Sequence, residues 1–76
     1  MNIKKIVKEV IIQTAGEIGV NMEDNLKTDI GLDSLSLVGV IVGIEEKLGI
    51  MFDESDLDPV QLQTVKDLVM LAEKYI

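Results

Sequence analysis

The chain is 76 residues long and 47% hydrophobic, yet has one Phe, one Tyr and no Trp, so a single small domain must build its core from Ile, Val, Leu and Met. It holds no Cys and no His, which excludes disulfides, thiolate metal sites and imidazole chemistry. The net charge of −7 is concentrated in residues 23–58, where two Lys face ten acids; this argues against nucleic acid or an anionic membrane, and reads either as a surface for protein partners with basic patches or as acidity that only keeps a hydrophobic small domain in solution.

At the N-terminus, Ile3, Ile6, Val7, Val10 and either Ile11 or Thr14 recur at helical spacing, with Lys4, Lys5, Lys8 and Glu9 turned to water. This predicts a first helix ending near residue 15, at Gly16. Because Lys8 and Glu9 interrupt its apolar run, the stretch does not read as a signal peptide, and a cytoplasmic protein is expected. Residues 16–32 show no steady period, and read as a long loop pinned by Val20, Met22, Leu26 and Ile30.

A second helix is predicted from Asp33 or Ser34 to about Leu48, with Gly49 as its left-handed stop. Its apolar run, residues 35–44, is about half of the ~20 residues needed to span a bilayer. Leu37, Val40, Ile41, Ile44 and Leu48 form one apolar stripe, which would face the core. Leu35, Val38 and Val42 form a second, rotated away: either the helix is central and buried all round, or this stripe is an exposed contact face rimmed by Asp33, Glu45 and Glu46, the reading preferred here. Gly39 and Gly43 each cost this helix roughly 1 kcal/mol relative to Ala, a loss that close packing or clearance for a partner must offset.

Beyond Gly49, the acidic segment "IMFDESDLDP" has room for one short helical turn before Pro59. Its acids lack the Gly and ligand spacing of a calcium loop and read as a solvated face, so no metal site is expected. The last helix is signalled by Thr64 as N-cap and Asp67 as its capping-box partner, followed by Val65, Leu68, Val69, Ala72 and Tyr75 or Ile76. With no alternating strand pattern, the expected fold is all-α: a small four-helix bundle of three main helices and one short one, in a single domain spanning 1–76.

Asp33 as N-cap would accept a hydrogen bond from the amide of Leu35 or Ser36, leaving Ser34 at the first helical position with a free hydroxyl. Capping chemistry alone would also place "DS" at a helix start. With no His or Cys in the chain, and with Lys27 and Lys47, the nearest lysines, in no recognisable pairing motif with Ser34, nucleophilic catalysis by this chain is not expected.

The stretch "LKTDIGLDSLSLV", Leu26 to Val38, resembles the signature of acyl carrier proteins, and the likeness extends along the whole chain through "IEEKLGI", "FDESDLDP" and "TVKDLVMLAEKYI". The resemblance implies that Ser34 is the attachment point of 4′-phosphopantetheine, transferred from coenzyme A by a separate transferase that supplies the base and magnesium. The chain would then be a non-catalytic, monomeric carrier of acyl thioesters. Its surface of Asp33, Leu35, Val38, Val42, Glu45 and Glu46 would meet basic patches on the transferase and on acyl-loading and condensing enzymes.

Fatty-acid carriers usually hold an acid two positions after the modified serine and a Glu three positions further on, where this chain has Ser36 and Gly39. Together with a shorter first loop and a longer segment before the last helix, this points to a free-standing carrier in a specialised pathway. Two alternatives stay open. One is a free-standing aminoacyl or peptidyl carrier, although "IGLDSL" lacks the second Gly of the usual peptidyl-carrier pattern; the other is a helical interaction module in which Ser34 is only part of a cap.

Overall fold

Three α-helices and one 3₁₀ turn follow one another in the computed structural model, which describes residues 2–16, 19–58 and 60–76. They are α1 (Ile3–Ala15), α2 (Ser34–Leu48), the turn Glu54–Asp56 and α3 (Val65–Lys74). Pro59, expected to close the acidic segment, lies outside the described residues. The described residues form no strand, only an isolated antiparallel bridge between Asn25 and Thr64.

Local chemistry places the helix ends where the sequence puts them. Asn2 caps α1 by accepting from the Lys5 amide, and Gly16, at φ 74°, ends it by donating its N–H to the Ile12 carbonyl. Gly49, at φ 67°, ends α2 in the same way, onto Glu45. At α3, the Thr64 hydroxyl accepts from the Asp67 amide while the Asp67 carboxylate accepts from the Thr64 amide, a complete capping box.

The core joins Val7, Val10 and Ile11 of α1, Val40, Ile41, Ile44 and Leu48 of α2, and Val65, Leu68, Val69, Leu71 and Ala72 of α3. Ile11 therefore fills the position left open between it and Thr14, which is exposed. Just beyond α3, Tyr75 is half-buried and Ile76 exposed. Leu37 packs against the core only partly, so the inner stripe of α2 begins in earnest at Val40.

The long loop before α2 is ordered by its contacts with α3. The amides of Val65 and Lys66, which have no partner within their own helix, donate to the carbonyls of Asp24 and Met22, and the Leu26 amide donates to Gln63. Val20, Leu26, Ile30 and Leu32 are buried beneath this seam, with Met22 partly so. Asn25 then shapes the chain locally: its side-chain oxygen accepts from the amides of Lys27 and Thr28, and its own amide donates to Asp29. The Leu32 amide closes the turn on the Leu26 carbonyl, directly before Asp33.

The acidic segment is more than the solvated face expected of it. Asp53 caps the 3₁₀ turn through the Ser55 amide, and Asp58 accepts from the Val60 amide. Asp56 accepts from the Tyr75 hydroxyl and pairs with Lys74 at 3.2 Å. The Tyr75 oxygen in turn accepts from the Asp53 amide, and its ring stands edge-on to Phe52 with 5.1 Å between centroids. Asp56, one of the acids that lack metal-ligand spacing, thus clamps the 3₁₀ turn to the end of α3.

Candidate functional site at the start of α2

Ser34 is the first residue of α2 and is exposed. Asp33 takes the N-cap position in extended conformation and accepts from the Ser36 amide at 2.7 Å, the second of the two partners foreseen for it. Capping thus falls to Asp33, and among the described residues the Ser34 hydroxyl makes no hydrogen bond. The Ser36 amide, and after it the Ser36 hydroxyl, hold the Asp33 carboxyl below its ordinary value of 3.8, so it is ionised at neutral pH.

The buried turn at 26–32 sets this presentation. Ile30 and Leu32 enter the core, Gly31 between them takes φ 85°, and the chain arrives at Asp33 with its side chain directed along the new helix. The amides of Ser34 and Leu35 have no backbone acceptor, as the first turn of a helix requires. A phosphate on the Ser34 oxygen would lie next to these donors and the positive end of the α2 dipole. An exposed, unbonded hydroxyl beside helix-end amides that lack a backbone acceptor therefore fits a phosphodiester-linked group.

Behind Ser34 the outer stripe of α2 is exposed. Leu35 is 82% accessible, Val38 55% and Val42 44%, against 0–9% for the inner residues Val40, Ile41, Ile44 and Leu48. Asp33 and Glu46 are exposed on its rim. Glu45, assigned to the same rim from sequence, is half-buried, and its carboxylate accepts from the Phe52 amide at 2.8 Å. It ties the end of α2 to the chain beyond Gly49, a seven-residue connection that helical spacing does not reveal.

The two glycines of α2 separate into the two explanations offered for them. A Cβ on Gly43 would lie 2.8 Å from Val10 Cγ1, so Gly43 permits the close approach of α1. A Cβ on Gly39 would meet nothing within 4 Å, so its absence serves no packing inside the chain. Gly39 falls four residues after Leu35 and three before Val42, within the exposed stripe, and that placement was visible in the spacing alone.

No helix among the described residues is long and apolar enough to cross a membrane. The sequence profile of the family described as "Phosphopantetheine attachment site" matches residues 3–71. An acyl carrier protein of Coprothermobacter proteolyticus is 37% identical over 71 residues, covering 93% of this chain and 82% of that protein. One of Solidesulfovibrio magneticus is 36% identical over 76 residues, covering 97% and 95%, and one of Thermotoga maritima is 37% identical over 70, covering 90% and 84%. The chain belongs to the phosphopantetheine-attachment family of acyl carrier proteins, whose prosthetic group is covalently bound 4′-phosphopantetheine.

Proposed function

We propose that Ser34 carries the 4′-phosphopantetheine arm, and that the chain is a monomeric cytoplasmic carrier presenting acyl groups to enzymes of fatty-acid, polyketide or related specialised synthesis. The observation that carries this reading is the exposed, unbonded hydroxyl of Ser34 at the first position of α2, with Asp33 taking over the cap. When bound, the arm supplies the thiol on which an acyl group is held as a thioester, which accounts for a carrier without Cys.

The chain's own residues present and do not activate. With no His or Cys anywhere, Ser34 relies on the transferase for a base. The Oγ to phosphorus bond forms as the pyrophosphate link of coenzyme A breaks, the nucleotide leaves as adenosine 3′,5′-bisphosphate, and the Oγ proton passes to the transferase. The first amides of α2, which have no backbone acceptor, favour the resulting phosphodiester charge. Leu35, Val38 and Val42 offer partner enzymes an apolar contact beside the arm, and Asp33 and Glu46 a negative rim that attracts basic patches.

An acyl cargo is favoured over an aminoacyl one by the acyl carrier proteins it resembles along nearly its whole length. The test is intact mass after incubation with coenzyme A and a broad-specificity phosphopantetheinyl transferase, then with acyl-loading enzymes. A gain of one phosphopantetheine, followed by a hydroxylamine-sensitive acyl gain, is expected. No gain, or an equal gain in Ser34→Ala, overturns the assignment.

A further inference from the structure

The exposed face of α2 contains a position that the fold itself does not explain. Leu35, Val38, Gly39 and Val42 stand at i, i+3, i+4 and i+7, the four corners of a hole of the kind that receives a side chain from a facing surface. Three corners are exposed apolar side chains and the fourth is bare backbone. Gly39 is the poorer choice for an exposed helix interior, and unlike Gly43 it accommodates no neighbour.

We propose that Gly39 is a specificity-determining residue: the hole Leu35–Val38–Gly39–Val42 receives one apolar side chain of the phosphopantetheinyl transferase, and glycine at position 39 gives that side chain its depth. This rests on the carrier reading, and it adds a partner contact and a residue to it. The transferase is the occupant because it must reach Ser34 Oγ, and Gly39 lies five residues further on, about 7.5 Å along the helix axis. Any surface seated over Ser34 therefore extends over the hole.

Charge selects the same kind of occupant. Asp33 and Glu46 are exposed around the hole, within a segment carrying ten acids against two Lys. A second copy of this chain would set acid against acid, whereas a transferase surface with basic residues around one apolar knob matches both features.

The experiment compares Gly39→Ala, Gly39→Leu and, as a control at an exposed position of another helix, α3, Glu73→Ala. Each is assayed with the transferase encoded in the same genome, following holo-protein formation by intact mass alongside thermal unfolding. Gly39→Ala is expected to melt roughly 4–8 °C higher, because it gains helix propensity and meets no atom. Its kcat/KM should fall about tenfold as the added methyl fills the hole, with a larger fall for Gly39→Leu.

The loss should lie in KM, since the hole is remote from the reacting oxygen, and Glu73→Ala should match the wild type. Position-39 variants within twofold of the wild-type kcat/KM, or a lower melting temperature for Gly39→Ala, overturn the inference and leave the carrier reading intact. A wild-type protein that gains no mass overturns both.

Discussion

At the scale of the residue, the chemistry of the site rests on a division of labour between neighbours. Asp33 occupies the cap, which frees the Ser34 hydroxyl, and Ser36 secures Asp33 through its amide and hydroxyl. Three carboxyls are held below the ordinary value of 3.8. Asp33 is lowered by Ser36. Asp56 is lowered by the Tyr75 hydroxyl and then Lys74. Asp67 is raised by burial but lowered further by hydrogen bonds from the Thr64 and Gln63 amides. Each binds its proton less readily folded than unfolded, so its stabilisation is complete above about pH 4 and is lost as the pH falls through the lower folded value. The melting temperature is expected to drop as the pH falls below about 4, and the triple Asp→Asn variant at 33, 56 and 67 to show a flatter acid profile, as followed by circular dichroism. Parallel profiles would show that these carboxyls do not govern acid unfolding.

At the scale of the element, α2 carries two apolar stripes with different duties. The helix was legible from its period and from the Asp33 and Gly49 signals, because these act over one turn of chain. Its outer stripe was legible too, since three apolar residues were left over once the inner stripe had been assigned. Glu45 was not, because its partner Phe52 lies beyond the C-cap, where spacing carries no information. Val38→Glu is expected to leave the helical circular-dichroism signal and melting temperature nearly unchanged while slowing turnover with partner enzymes; global unfolding would show the stripe to be core. Gly43→Ala should behave oppositely. Its Cβ would overlap Val10 Cγ1, an overpacking cost of about 1–3 kcal/mol against the roughly 1 kcal/mol of helix propensity regained. A net loss of about 1 kcal/mol in urea unfolding is expected, relieved when Val10→Ala is added.

At the scale of the whole molecule, the least legible part was the packing of the loop. Val20, Leu26 and Ile30 were recognisable as anchors, but what orders the loop is its pairing with the start of α3, about 40 residues away in sequence. The same holds for the Tyr75 and Asp56 clamp, which converts acids that read as solvated into a tie between distant segments. Charge, by contrast, is readable from sequence alone. The molecule is 26 Å across its longest extent, so at about 0.01 M salt, where the screening length is about 30 Å, every acid feels every other. With a net charge of −7 and Lys74–Asp56 as the one ion pair among the described residues, repulsion dominates. Raising salt to about 0.5 M is expected to raise the melting temperature by several degrees; a flat or falling dependence in calorimetry would show that repulsion is not what limits stability.

The oxygen proposed to carry the arm is Ser34 Oγ, and Ser36, two residues away on the same turn, is its natural competitor. Tryptic cleavage after Lys27 and Lys47 places both serines in the peptide Thr28–Lys47. After treatment with coenzyme A and a phosphopantetheinyl transferase, fragmentation of that peptide by mass spectrometry should locate one phosphopantetheine on Ser34, with Ser34→Ala unmodified and Ser36→Ala modified as the wild type. Modification on Ser36, or a peptide that stays unmodified in the wild-type protein, would contradict the account.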